Sequence, residues 1–306
     1  MSSIMTNTAA MTALKTLQST NKAIETTQAR ISTGLAVSEA SDNAAYWSIA
    51  TTMRSDNAAL GTVQDALGLG AAKVDVAYTG INSALKVADE IKTKLVAARE
   101  PGVDKAKIQS EITELQSQLV SIASSSSFSG ENWLSVDSGD AAYLATKSIV
   151  SSFNRDASGA VSVSTIDVDT TTTELFDAAD QSGILDTEFT TTGAGAVTVS
   201  VSTLDITAAG IDDTDIDEMI SNVDDAIQSM TTAAANLGAS KKRIGLQTEF
   251  VGNLMDAIDR GVGKLVDADM TEESTKLQAL QVQQQLGVQA LSIANGGAQT
   301  ILSLFR

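Results

Sequence analysis

The residues nearest to a chemical site are the carboxylates of Asp213-Thr214-Asp215-Ile216-Asp217, spaced like the first three ligands of a calcium-binding loop. Oxygen ligands at alternate positions could begin a cage around a divalent cation. The rest of the cage is missing, because Glu218 stands where the sharp turn needs glycine and Asp224 where a bidentate glutamate would close it. These acids read better as the start of a helix, whose positive end they complement. Asp267-Ala268-Asp269, just before Met270, reads as a second helix start rather than as an acid–base pair. The chain has no histidine and no cysteine, which removes thiol and imidazole nucleophiles, the commonest general base and the usual zinc ligands. No glycine-rich phosphate loop or nucleophile elbow is present. The reading is a non-enzyme without a cofactor.

If no side chain does chemistry, the elements themselves must carry the function. The sequence has 306 residues, 43% apolar and only 4% aromatic, so it folds around thin aliphatic seams between helices. Its formal charge of −18 argues against nucleic acid or an anionic membrane as partner. Between Asp137 and Asp225, 18 acidic residues face only Lys147 and Arg155, so this stretch carries −16 of the total and both ends are nearly neutral. No basic segment followed by an apolar run marks a secretory signal near Met1, and no stretch reaches the roughly 18 apolar residues of a membrane span.

Apolar positions step by three and four from Leu14 through Leu17, Asn21, Ile24, Gln28, Ile31 and Leu35, a coiled-coil-like seam with two polar intrusions that can fix register. A second seam runs from Leu60 through Leu67, Val74, Ile81 and Ala88 to Leu95, out of step with the first. Gly34 and Ser41-Asp42-Asn43 lie in the gap between them, as a hinge would. Glu100-Pro101-Gly102 stops the second helix, and Ile108, Ile112, Leu115, Leu119 and Ile122 predict a shorter one folded back on it.

From about Phe128 to Gly210 the period changes to two, with strands predicted at Val161–Ile166 and at Val197–Leu204 and hairpin loops at Arg155–Gly159 and Thr192–Gly195. The longest seam then runs from Ile216 to Leu265, and a last one from Leu277 through Leu280, Gln284, Gly287, Leu291 and Ala294 to Ile301 and Phe305, slipped by one place at Asp267–Asp269. The chain is therefore expected to be mainly α, a long coiled-coil-like rod made by its N- and C-terminal segments, with a small, acidic, β-rich insert exposed to solvent. The expected division is 1–42 with 267–306 as terminal helices, 43–135 with 212–266 as the rod, and 136–211 as the insert, separate or part of the rod. The terminal helices carry stripes too narrow to be secure alone and must find burial on each other or on copies of the chain.

Particular residues carry a family resemblance. At the front they are Thr6-Asn7-Thr8, Ala13-Leu14, Arg30-Ile31-Ser32-Thr33-Gly34-Leu35, Asp42-Asn43-Ala44-Ala45 and Met53-Arg54-Ser55. At the back they are Leu237-Gly238-Ala239, Asp267-Ala268-Asp269, Gln284-Gln285, Ala294-Asn295 and Leu302-Ser303-Leu304. The chain resembles the bacterial flagellins over residues 1–135 and 214–306, and Tyr46-Trp47 is most similar to the alphaproteobacterial ones. Asn43 stands for a common second aspartate and Ala298 for a usual proline.

The resemblance implies a filament subunit for swimming motility, exported unfolded through the flagellar export apparatus, aided by a chaperone, and folded outside the cell beneath a cap. It further implies a homopolymer, joined by related flagellins and hook-junction proteins, with a low-copy junction protein as the alternative. Under that reading Leu14, Leu17, Ile24, Ile31, Leu277, Leu280, Leu291 and Ile301 pack the filament core, and Gly34, Asp42, Asn43, Asp267 and Asp269 form the joint between core and rod. Lys92 and Lys94 stand where many flagellins carry an arginine and a leucine met by an animal innate immune receptor, and Glu111 matches there.

Overall fold

The computed structural model describes residues 7–304, with backbone alone at 297–304. The described elements are five α-helices, α1 (Thr8–Thr33), α2 (Ala44–Ala98), α3 (Lys105–Ser125), α4 (Asp213–Val266) and α5 (Met270–Leu304), with the strands β1 (Ser127–Phe128), β2 (Glu131–Asn132), β3 (Ser135–Val136), β4 (Thr146–Arg155), β5 (Val161–Asp169), β6 (Phe176–Asp177), β7 (Phe189–Thr190) and β8 (Thr198–Val199) between α3 and α4. The expected phase slips are breaks between helices. Gly34 caps α1 in the left-handed region at φ 75°, where its amide bonds the Arg30 carbonyl. Asp269 caps α5 by accepting from the amides of Thr271 and Glu272.

Two compact units result. The first is Met1–Ala58 with Met255–Arg306, and the second is Ala59–Leu254, which contains the insert. The first unit extends past the expected limits at 42 and 267 because Ala50 and Met53 of α2 pack with Val262, Val266 and Ile258 of α4 around Val37.

In the second unit every seam residue from Leu60 to Leu95 is buried, so the heptad pattern translates directly into a core. The α4 seam does likewise at Ile216, Val223, Met230, Leu237, Ile244 and Val251, while Met219, Ala226 and Ala233 widen its buried stripe. Lys241 interrupts that seam, and its ammonium group pairs with Asp75 and lies 5.8 Å from the Tyr78 ring centre. After Pro101, Gly102 takes φ 89° and Asp104 caps α3.

Two expectations change. The buried stripe of α3 takes in Gln116 and Ala123, whereas Leu115 and Ile122 are only half-buried. Gln109 and Gln116, seven residues apart on one face, hold the returning insert: Gln116 donates to the carbonyls of Val201 and Leu204, and Gln109 bonds Leu204 O and the Ile206 amide. The Val197–Leu204 alternation is not a full strand. Only Thr198–Val199 (β8) pairs, with Phe189–Thr190 (β7), and Val201–Thr203 is a 3-10 turn, so period two there reports burial of Val199 and Val201 rather than a ladder.

The other predicted strand is part of the hairpin β4 (Thr146–Arg155) and β5 (Val161–Asp169), turned at Asp156–Ala160. The insert is also less solvated than its composition implies: Leu175, Leu185, Leu204 and Ile206 are fully buried. Glu174 lies among them and accepts a 2.7 Å bond from the Tyr143 hydroxyl. Burial, with the Asp177 and Asp169 carboxylates nearby, raises the Glu174 pKa despite that bond.

Candidate functional site

The predicted chemical residues are dispersed among separate partners. Asp213 and Asp217 both pair with Arg99, Asp224 with Lys92, and Glu218 accepts from the Thr192 amide. Asp212, rather than Asp213, caps α4 by accepting from the amides of Thr214 and Asp215. Asp215 is fully buried and accepts from the amides of Gly195 and Asp212. The Thr191 hydroxyl, shared with Val197 O, and the Asp212 amide hold the Asp215 carboxyl down to about 2. These acids fasten the 191–195 loop to the start of α4. Among the described residues no cluster of metal-binding side chains occurs, and no helix is long and apolar enough to cross a membrane.

The first unit presents a helical surface instead. Its helices α1 and α5 pack antiparallel, with Leu17 against Gly287, Asn21 bonded to Gln284 at 2.8 Å, and Asn7 donating to the Ala294 carbonyl at 2.9 Å. Gly287 lets the helices approach, since a Cβ there would lie 3.3 Å from Leu17 Cδ1. The polar intrusion Asn21 is therefore one half of a cross-helix pair.

Yet the pair buries little apolar surface. Leu17, Ile24, Ile31, Leu277, Leu280 and Leu291 are only half-buried, Leu14 is 46% exposed, and Ile301 lies outside the described side chains. Among the described side chains of the pair, the buried ones are polar: Thr20, Thr27 and Glu273. Met11, Val282, Leu286, Val288 and Ile293 stand exposed, Ile293 at 76%. Val282, Leu286 and Ile293 follow one another by four and seven residues, so they stand on one face of α5.

At the inner end of the pair, the two linkers bond each other. Leu35 and Asp267 form an antiparallel bridge, the Gly34 carbonyl accepts from the Ala268 amide at 2.9 Å, and Val266 O accepts from Ala36 at 2.7 Å. Asp42 accepts from the amides of Ser38 and Glu39, which lower its carboxyl pKa. Asn43 accepts from the Tyr46 amide and so caps α2.

Sequence reading missed one member of the seam. Glu273 lies four residues before Leu277, one step of the three-and-four seam, and its carboxylate meets Arg30 of α1 at 3.1 Å. The step itself was the available signal; the partner, 243 residues away, had none. In the second unit, Lys94 pairs with Glu111 across α2 and α3, and Lys92 with Asp224 across α2 and α4.

Comparison with known proteins agrees with this architecture. Residues 4–139 match the model of the bacterial flagellin N-terminal helical region and residues 220–305 that of the C-terminal helical region. The chain is 55% identical to flagellin C of Rhizobium meliloti (strain 1021) and 47% identical to its flagellin A, each over the whole of both chains. It is 48% identical to a flagellin of Brucella melitensis, again over both full lengths. With both helical regions matched and relatives of this similarity among alphaproteobacteria, the chain belongs to the bacterial flagellin family.

Proposed function

We infer that this chain is a structural subunit that polymerises, with copies of itself and related flagellins, into the hollow helical filament of the bacterial flagellum, outside the cell. One observation carries the reading: α1 and α5 pack on each other yet leave Met11, Leu14, Leu286 and Ile293 exposed. Exposed area of this kind is stabilised only when another surface covers it, at roughly 25 cal/mol per Å² of apolar area. Neighbouring copies supply that surface in a polymer.

Within this reading, residues 1–42 and 267–306 form the filament core, 43–135 and 212–266 the surrounding helical layer, and 136–211 the outward insert. Leu14, Leu17, Ile24, Ile31, Leu277, Leu280, Leu291 and Ile301 make the core contacts. Gly34, Asp42, Asn43, Asp267 and Asp269 form the joint, a role supported by the mutual hydrogen bonding of the two linkers. The cap, hook-junction proteins, export apparatus and a chaperone are its further partners. Lys92, Lys94 and Glu111 mark the region open to immune-receptor contact, with both lysines tied into ion pairs there.

The test is Leu291→Asp in the full chain. Sheared external filaments from that variant should vanish while secreted monomer persists, and filaments of normal length and yield would refute the assignment. Limited proteolysis should clip both termini in monomer and spare them in polymer.

A further inference from the structure

Four contacts fix how α1 meets α5. They are Asn7 with Ala294, Leu17 with Gly287, Asn21 with Gln284, and Arg30 with Glu273. The residue numbers of each pair add to between 301 and 305, so all four belong to one antiparallel register. An aliphatic heptad seam specifies such a register weakly, since sliding α1 by seven residues sets the half-buried Ile24 where Leu17 stood and Ile31 where Ile24 stood.

The Asn21–Gln284 pair does not prevent sliding in both directions. A shift of one heptad brings Gln28 opposite Gln284, replacing one polar pair by another. The same shift carries Arg30 away and brings the helix end past Glu273, and the opposite shift sets Ala23 there, so neither supplies a cation. Glu273 is 7% exposed, and its Oε2 has no hydrogen bond among the described residues, so no other partner is in place once Arg30 leaves. Lys276 approaches Glu273 at 3.9 Å, but it sits on the same helix, travels with it and carries no register information. A buried carboxylate without its cation is costly whatever the aliphatic seam gains.

We propose that Arg30 and Glu273 are the positioning residues that set the α1–α5 register and thereby the apolar face the subunit offers to its neighbours. The proposal rests on the filament reading for its consequence, but the register can be read without any filament. The chain has no cysteine, so introduced pairs report alone. A Cβ on Gly287 would lie 4.0 Å from Leu17 Cβ, within the span of a disulfide. Leu17→Cys with Gly287→Cys therefore reports the observed register, and Ile24→Cys with Gly287→Cys reports the slip that brings Gln28 opposite Gln284.

Both reporters are equilibrated in the full chain in a glutathione redox buffer, in the parent, Arg30→Glu, Glu273→Arg and doubly exchanged backgrounds, and the yield of sheared filament is read in the same four backgrounds without the cysteines. Each single exchange should lower the 17–287 disulfide about tenfold, raise the 24–287 disulfide and abolish filaments. The double exchange should restore most of the 17–287 product and the filaments. Single exchanges that leave the 17–287 product unchanged, or a double exchange no better than the worse single, would overturn the proposal. If the reporters show this disulfide pattern but the cysteine-free parent builds no filament, the filament reading would instead sink and the register assignment would stand.

Discussion

Two glycines of α2 in the second unit should respond oppositely to the same substitution. Gly68 and Gly80 are both helical, so alanine at either gains about 1 kcal/mol of helix propensity. Their surroundings differ. A Cβ at Gly68 meets nothing within 4 Å, whereas one at Gly80 would lie 2.5 Å from Leu134 Cδ1 and close upon Ser126 Oγ. Neither neighbour yields easily: Leu134 is fully buried, and the Ser126 hydroxyl is held by the Ile122 carbonyl at 2.7 Å.

Overpacking of this kind costs about 1–3 kcal/mol. The propensity gain cancels between the two variants, so their difference reads the clash alone. Gly68→Ala should be more stable than the parent, and Gly80→Ala should fall below Gly68→Ala by that 1–3 kcal/mol. In a unit of this size each kcal/mol moves the melting temperature by about 2–4 °C. Trp133, buried in the same unit, reports its unfolding by fluorescence, with Trp47→Phe as the background in every variant. Equal stability of the two variants, within about 0.5 kcal/mol, would refute the packing argument.

Two acids should give opposite pH dependences. Asp215 has a carboxyl held down to about 2 in the folded chain, so its contribution is complete above the ordinary aspartate range near pH 4 and is lost as pH falls toward 2. Asp215→Asn should lower the melting temperature at pH 7, and the gap from the parent should close over that acidic window. For Glu174 the folded pKa is raised, so acidification through the ordinary glutamate range favours the fold. Glu174→Gln, which keeps an acceptor for Tyr143, should therefore raise the melting temperature at pH 7, and a lower value would count against burial as the dominant cause. Lys241→Leu should change stability by less than about 0.5 kcal/mol in urea unfolding, because its pair with Asp75 is half-exposed.

How much could be read in advance followed the range of the interaction. Helices came from local periodicity, and the Leu60–Leu95 seam was legible residue by residue because a heptad stripe needs only to know which face is inward. Gly34, Pro101-Gly102 and Asp269 announced helix ends through backbone chemistry that acts within a few residues. Val197–Leu204 misled because alternation records which side chains are buried, and here the 3-10 turn and the two glutamines of α3 do what a neighbouring strand would have done. Gln109 and Gln116 could have been noticed as amides seven residues apart on a helix face; what they hold could not. The α1–α5 surface was legible as a deficit, two stripes too narrow for their length, while Arg30 and Glu273 stayed hidden because nothing local connects residues 243 apart in sequence.

The pairing of α1 with α5 also dictates an order of events. Joining them closes a loop of nearly the whole polypeptide, an entropic cost that shrinks once the intervening residues have condensed into their own unit. The centre consolidates first and the extremities zip up afterwards. A molecule whose interior is incomplete therefore lacks the paired ends that a neighbour would meet.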